Sequence, residues 1–282
     1  MKELDGEKLA KKIRKNLRKR LKETEIRPRL ATVLIGENPA SQKYVELKER
    51  DCKEIGIEFK THHVPSEANQ KDVEELISDL NEDENFDGIL VQLPLPEHLE
   101  EKEVIEKIAP EKDVDGLTSY NIGRLWADRY DFARDMLPCT PKGVVRLLEE
   151  YSIEIAGKEA AIVNRSNLVG KPIAKLLLDR NATVSICHSQ TKNLKRYTKS
   201  ADILITAVGA RPEFTIEKQM VKKGAVVVDV GMNYLEDGLY GDVKFNEVKN
   251  KTSYITPVPG GVGPMTRVML LENVTLAGGI KP

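Results

Sequence analysis

Lys158 to Leu178 reads KEAAIVNRSNLVGKPIAKLLL, and the fold turns on this stretch. An apolar run from Ala160 to Val163 stops at a polar turn, and apolar positions then recur with helical spacing after Gly170. A short run without polar alternation suits a strand buried on both faces. We read a strand at Lys158–Val163 and a helix at Val169–Leu178. The turn between them, VNRSNLVGKP (Val163–Pro172), lacks the glycine-rich GxGxxG pattern of dinucleotide binders. Only Gly170 remains, where a missing side chain lets helix and strand pack closely. By spacing alone this is a weak signal. The turn still offers helix N-terminal amides to a phosphate, with Asn164, Arg165 and Ser166 beside them.

Downstream the alternation continues. Strands read at Thr183–Cys187, Asp202–Val208 and Ala225–Val230, with a helix at Lys192–Lys199. Alternating strands and helices imply a parallel sheet, here a Rossmann-like domain over residues 138–264. MLPCTPKGVVRLLEEY opens it, with Thr140 expected as N-cap and Pro141 as the first helical residue. The strand ending at Cys187 runs into His188-Ser189, without the acid that holds a ribose 2′-hydroxyl. Arg165 and Ser189 suit a 2′-phosphate, which favours NADP over NAD. They read equally as a surface arginine and a turn serine. Small residues at Val208-Gly209-Ala210 and Val230-Gly231-Met232 leave room at the sheet's carboxyl edge, where ligands bind.

Upstream, LDGEKLAKKIRKNLRKRL is an amphipathic helix. Leu30–Ile35 is a strand and NPASQKYVELKERDCKEIG a helix, with Pro39 in its first turn and Gly56 at its end. A second strand spans Ile57–Val64, VEELISDL is helical, and Asp87–Leu93 is a third strand. This βαβαβ unit predicts a first α/β domain over residues 1–137, completed by a C-terminal helix over 265–282. Ser41, Tyr44 and Lys48 share one helix face. A lysine desolvated in a cleft can shuttle protons, but so charged a helix also suits a solvated Lys48. Gln92, at the end of an apolar strand in VQLPLP, reads as a site hydrogen bonder or as a strand terminator. Asp113 and Asp115 in KDVDGL could bind a metal, cap a helix or hold an aminopyrimidine ring.

Composition narrows the partners. A net charge of −1 gives no electrostatic footprint for nucleic acid. No apolar run has the length of a membrane span, and no leader segment is read, so a cytoplasmic enzyme is expected. Cys52, Cys139 and Cys187 lack metal spacing, as do the four histidines, so no metal is expected.

Pro257–Thr266, PVPGGVGPMT, crowds prolines and glycines into a loop stiff in shape and poor in side-chain bulk, ahead of an apolar helix. Such a loop suits a flat ligand lying on main chain.

Together these motifs resemble the bifunctional methylenetetrahydrofolate dehydrogenase/cyclohydrolase family. The likeness runs in order through GENPASQKYVELK, DGILVQLPLP, KDVDGL, LPCTPKG, RSNLVGKP, CHSQT, YGDV and TPVPGGVGPMT. It implies two α/β domains, the first three-layered, with the active site in the cleft between them. It also implies NADP as cofactor, tetrahydrofolate derivatives as substrates and a homodimer. Lys48 would be the catalytic lysine of the cyclohydrolase step, with Tyr44 stacking on folate. Gln92 would set the geometry of Lys48, Leu93 would line the folate, and Asp115 would hold the pterin. Asn164, Arg165, Ser166, Ser189, Gly209 and Gly231 would meet the cofactor, and Pro259, Gly260 and Gly261 the ligands. Two residues depart from the pattern: Asn164 stands where glycine is common, and Arg267 where a small apolar residue is usual. Asparagine tolerates a left-handed backbone, which would preserve the turn. A dehydrogenase for another small substrate would need neither VQLPLP nor PVPGGVGPMT, and a non-catalytic NADP sensor would not need Lys48 and Gln92 intact.

Overall fold

The computed structural model describes residues 1–280; Lys281 and Pro282, the end of the expected C-terminal helix, lie outside them. In chain order the elements begin with β1 (Lys2–Glu3), α1 (Gly6–Lys22), β2 (Arg29–Ile35), α2 (Pro39–Ile55), β3 (Glu58–Val64), α3 (Gln70–Glu82) and β4 (Gly88–Val91). Then come α4 (Glu101–Glu106), α5 (Ser119–Trp126), α6 (Cys139–Glu150), β5 (Glu159–Val163), α7 (Gly170–Leu178), β6 (Thr183–Cys187), α8 (Leu194–Ser200) and β7 (Ile203–Thr206). The chain closes with β8 (Val226–Asp229), β9 (Asn233–Leu235), β10 (Gly238–Tyr240), α9 (Phe245–Val248), β11 (Tyr254–Ile255) and α10 (Val262–Ala277).

These elements form two compact units, neither of them one continuous stretch. One joins Lys12–Cys139 to the chain from Arg267 onward; the other joins Met1–Lys11 to Thr140–Thr266. The first residues had been expected in the domain spanning 1–137. Instead β1 pairs in parallel with β11, because Lys2 and Leu4 donate backbone hydrogen bonds to Ser253 and Ile255.

The Lys12–Cys139 unit holds a parallel sheet in the order β3-β2-β4. Ala31, Val33 and Ile35 of β2, with Ile89 and Val91 of β4, pack against Val73, Ile77 and Leu80 of α3 and Val104 and Ile105 of α4. Leu30, Thr32 and Leu34 on the opposite face are buried as well, as a covered parallel sheet requires. Helix α2 starts where Asn38 accepts from the Ala40 and Ser41 amides, with Pro39 leading, and stops at Gly56 in the left-handed region.

The Thr140–Thr266 unit is a six-stranded parallel sheet in the order β1-β11-β8-β7-β5-β6. From β5 the chain goes to β6 on one side and to β7 and β8 on the other, so the order reverses at the carboxyl ends of β5 and β7. Ligands of doubly wound folds bind at that point. The observed strands are shorter than the sequence suggests at Asp202–Val208 and Ala225–Val230; each stops where the chain turns off the sheet edge. Helix α6 begins at Cys139 rather than behind a Thr140 cap, and the Thr140 hydroxyl instead meets that of Thr266 at 2.9 Å.

Candidate active site

In the Lys12–Cys139 unit, helix α2 and the end of β4 bring two predicted residues together. Gln92 follows β4, and its backbone is held by Val33 O at 2.9 Å. Its side-chain nitrogen donates to Leu93 O at 2.6 Å, which turns its oxygen to accept from Lys48 Nζ at 2.8 Å. Burial lowers the proton affinity of Lys48, and the charges of Asp115, Cys139 and Cys52 only partly offset this. Asp115 is raised from the usual carboxylate range, again chiefly by burial, with Lys48 opposing. An amine and a carboxyl whose charges interact, both driven toward neutrality, are able to take part in proton transfer. Tyr44 lies one turn before Lys48 on α2, half-buried.

The two aspartates of KDVDGL separate. Asp113 is buried and accepts from the Thr118 amide at 2.8 Å and the Asn121 amide group at 2.9 Å, so it organises the start of α5. Asp115 lies close enough to the lysine for their charges to interact. No cluster among the described residues has the makings of a metal site.

Two residues behind Asp115 escaped the sequence reading. Asn273 on α10 donates to Val114 O at 2.8 Å and Leu137 O at 2.9 Å, which ties together the two strands of chain that flank Asp115 and Cys139. Gly116 fits only because it has no side chain: a Cβ there would lie 2.6 Å from the Leu137 carbonyl carbon. The signal for Asn273 was present, a lone amide inside the apolar run of α10. Arg267 is also explained, since its Nη1 lies 2.8 Å from Asp51, a carboxylate of α2 buried to 2% exposure. It is the counter-charge to a buried acid.

In the other unit the turn after β5 differs from expectation. Asn164 is not among the non-glycine residues with positive φ. Its side chain, rather than a left-handed backbone, shapes the turn. Oδ1 accepts from the Ser166 and Gly170 amides at 2.7 and 3.0 Å, and Nδ2 donates to Ala207 O at 2.6 Å. This amide therefore bridges the carboxyl ends of β5 and β7. A Cβ on Gly170 would collide with Asn164. The Ser166 hydroxyl caps the Val169 amide at 3.1 Å. Arg165 and Ser189 are exposed at the ends of the adjacent strands β5 and β6. Neither is tied to another side chain, which fits a site for a phosphorylated ribose.

Gly209 has φ of 65° and Gly260 a φ of 106°, conformations that glycine adopts without strain. In the loop Pro257–Gly261 the Val258–Pro259 bond is cis, and Glu7 donates to Gly260 O at 3.0 Å. Gly6 packs on this loop where a Cβ would strike the Gly261 carbonyl.

These features define a class: an α/β protein with one dinucleotide-binding sheet and a second sheet carrying a lysine–glutamine–aspartate site. The model of the tetrahydrofolate dehydrogenase/cyclohydrolase catalytic domain matches residues 4–115, and that of the family's NAD(P)-binding domain matches residues 138–279. The chain belongs to this family. It is 52% identical over 278 residues to the bifunctional protein FolD of Thermodesulfovibrio yellowstonii, covering 97% of this chain and 95% of that protein. The crystal structure of the Campylobacter jejuni bifunctional enzyme FolD superposes with a TM-score of 0.94 at 47% identity, covering 99% of each chain. The Trypanosoma brucei enzyme, solved with NADP and an inhibitor, gives 0.91 at 35% identity, covering 98% of this chain and 96% of that one.

Proposed function

We propose that the protein oxidises 5,10-methylenetetrahydrofolate to 5,10-methenyltetrahydrofolate and hydrolyses the product to 10-formyltetrahydrofolate. The observation that carries this reading is the hydrogen bond from Lys48 to Gln92 at 2.8 Å, on a lysine that burial makes less basic. NADP, bound at the carboxyl edge of the six-stranded sheet, supplies hydride acceptance. The chain's residues orient, bind and move protons. Arg165 and Ser189 take the 2′-phosphate, the turn held by Asn164 and Ser166 takes the phosphates, and Gly209 and Gly231 leave room for the dinucleotide. Oxidation leaves a delocalised cation on the folate and needs mainly orientation. Asp115 pairs with the pterin N–H groups and Tyr44 and Leu93 contact the ring system, while in the other unit Pro259, Gly260 and Gly261 offer bare main chain for binding. Water then adds to the cation. Lys48, neutral more readily than a solvated lysine, accepts the water's proton and returns one to the nitrogen that leaves as the ring opens. Gln92 fixes the amine's direction.

The test is one spectrophotometric assay with methylenetetrahydrofolate and NADP. NADPH and the methenyl compound absorb separately in the near ultraviolet. NADPH formation followed by decay of the methenyl signal is the expected result; no NADPH would overturn the reading.

The working form is a homodimer in the cytoplasm. Support for the dimer is that β6 is an edge strand with Ile186 exposed on it. Light scattering should give twice the 31.6 kDa chain mass. No helix among the described residues is long and apolar enough to cross a membrane.

A further inference from the structure

The motif YGDV has no role in the chemistry above, yet its aspartate is the most heavily bonded acid of its unit. Asp242 is fully buried, and Asp229, the last residue of β8, is 3% exposed. Asp242 Oδ2 accepts from the Thr206 hydroxyl at 2.8 Å and the Val208 amide at 2.7 Å. Its Oδ1 accepts from the Gly209 amide at 2.9 Å and the Asn233 side chain at 3.2 Å. Asp229 accepts from the amides of Gly231, Asp242 and Val243 at 3.0, 2.9 and 2.7 Å. Gly231 and Gly241 must be glycine, since a Cβ on either would strike the carboxylate of Asp242 or Asp229 respectively. The two acids thus lash the end of β7, the end of β8 and the return from the β9–β10 hairpin into one block.

What this block holds up is exposed and apolar. Val208 is 38% and Met232 44% exposed, and Gly209, next to Val208, packs beside the Met232 backbone. Burying two carboxylates is a costly way to finish a loop. It does tie that loop down at several points at once, since seven donors converge on the two side chains. The strand order supplies the direction. If β6 reads the phosphorylated ribose of the adenosine half, an extended dinucleotide crossing β5 lays its other half over β7 and β8.

We propose that Asp242 is a positioning residue of the cofactor site: it holds Val208, Gly209 and, through the next residue Asn233, Met232 as a fixed shelf for the nicotinamide half of NADP. This rests on the reading of the Thr140–Thr266 unit as the NADP domain. The test compares two ligands by calorimetry on wild type and Asp242→Asn. NADP+ spans both halves of the site, whereas adenosine 2′,5′-bisphosphate reaches only the adenosine half. The variant should weaken NADP+ by about tenfold or more and leave the bisphosphate within about twofold. Its KM for NADP+ should rise while its KM for the folate stays put. Unchanged NADP+ affinity would overturn the proposal. Equal loss of both ligands would also overturn it, since that is what general loosening of the unit produces. If Asp242→Asn does not fold, Thr206→Val removes one donor to the same carboxylate. It should weaken NADP+ about threefold with the bisphosphate unmoved, and no difference between the ligands sinks the idea. Wild-type protein that bound neither ligand would instead overturn the cofactor reading, and this inference with it.

Discussion

An ammonium group withdrawn from water gives up its proton more readily, and Lys48 is in that state because burial outweighs the attraction of Asp115. Hydride transfer needs no base, but hydrolysis of the resulting cation does. Lys48→Met should therefore abolish hydrolysis of the methenyl compound and reduce NADPH formation less, so that the methenyl compound accumulates. Rates of both steps on one preparation, with circular dichroism as a fold check, decide this. Normal hydrolysis would return Lys48 to the status of a helix-surface charge. Arg165 carries a different expectation. A guanidinium that meets a 2′-phosphate is silent toward NAD, so Arg165→Ala should weaken NADP by about 1.5–3 kcal/mol and NAD little. Equal loss for both cofactors would remove the assignment. Lys48, Gln92 and Arg165 could be singled out in the sequence because their motifs are local, and the structure brings the first two within a hydrogen bond of each other. Asn164 was misjudged because its identity suggested a backbone role, while its side chain reaches Ala207 on another strand. Asn273 and Asp242 went unread because each acts on chain segments far away in sequence.

At the scale of elements, the central strands were readable because a sheet covered on both faces demands unbroken apolar runs. The short strands β1, at the sheet edge, and β11 beside it carry no such signal, and neither do α4 and α5, which sit in polar, proline-punctuated sequence. The end of β8 carries a testable consequence. Burial, with the charge of Asp242 adding to it, pushes Asp229 up to about 7 against the opposing backbone amides. An unfolded aspartate releases its proton near 3.9. Between these values the folded chain holds a proton that the unfolded chain has lost. Asp229 thus favours folding at the acid end of this window, and that stability is lost as pH rises toward 7. The slope from this group is at most about 1.4 kcal/mol per pH unit. Urea unfolding of wild type and Asp229→Asn at pH 5 and pH 8 isolates it: wild type should lose stability relative to the variant as pH rises. A difference that does not change with pH would mean Asp229 is ionised throughout.

At the scale of the whole molecule, the chain passes between its two compact units after Lys11, after Cys139 and again after Thr266. Sequence order is then a poor guide to which part a residue stabilises. Leu4 makes the case. It precedes the first unit in sequence, yet it is fully buried, and its amide donates to Ile255 O at 2.8 Å at the edge of the other unit's sheet. Removing a fully buried leucine side chain costs about 2–5 kcal/mol. For Leu4→Ala that loss should fall on the sheet that contains β11 and β8. Hydrogen exchange is the fitting measurement, because it reports opening segment by segment. The variant should exchange faster at Val226–Asp229 and Tyr254–Ile255, while β2 and β4 keep wild-type protection. Because NADP binds the folded form of that same unit, saturating NADP should restore much of the protection, by about 2.7 kcal/mol at a hundred times the dissociation constant. Faster exchange confined to β2, β3 and β4 would instead place Leu4 with its sequence neighbours and refute the discontinuous unit.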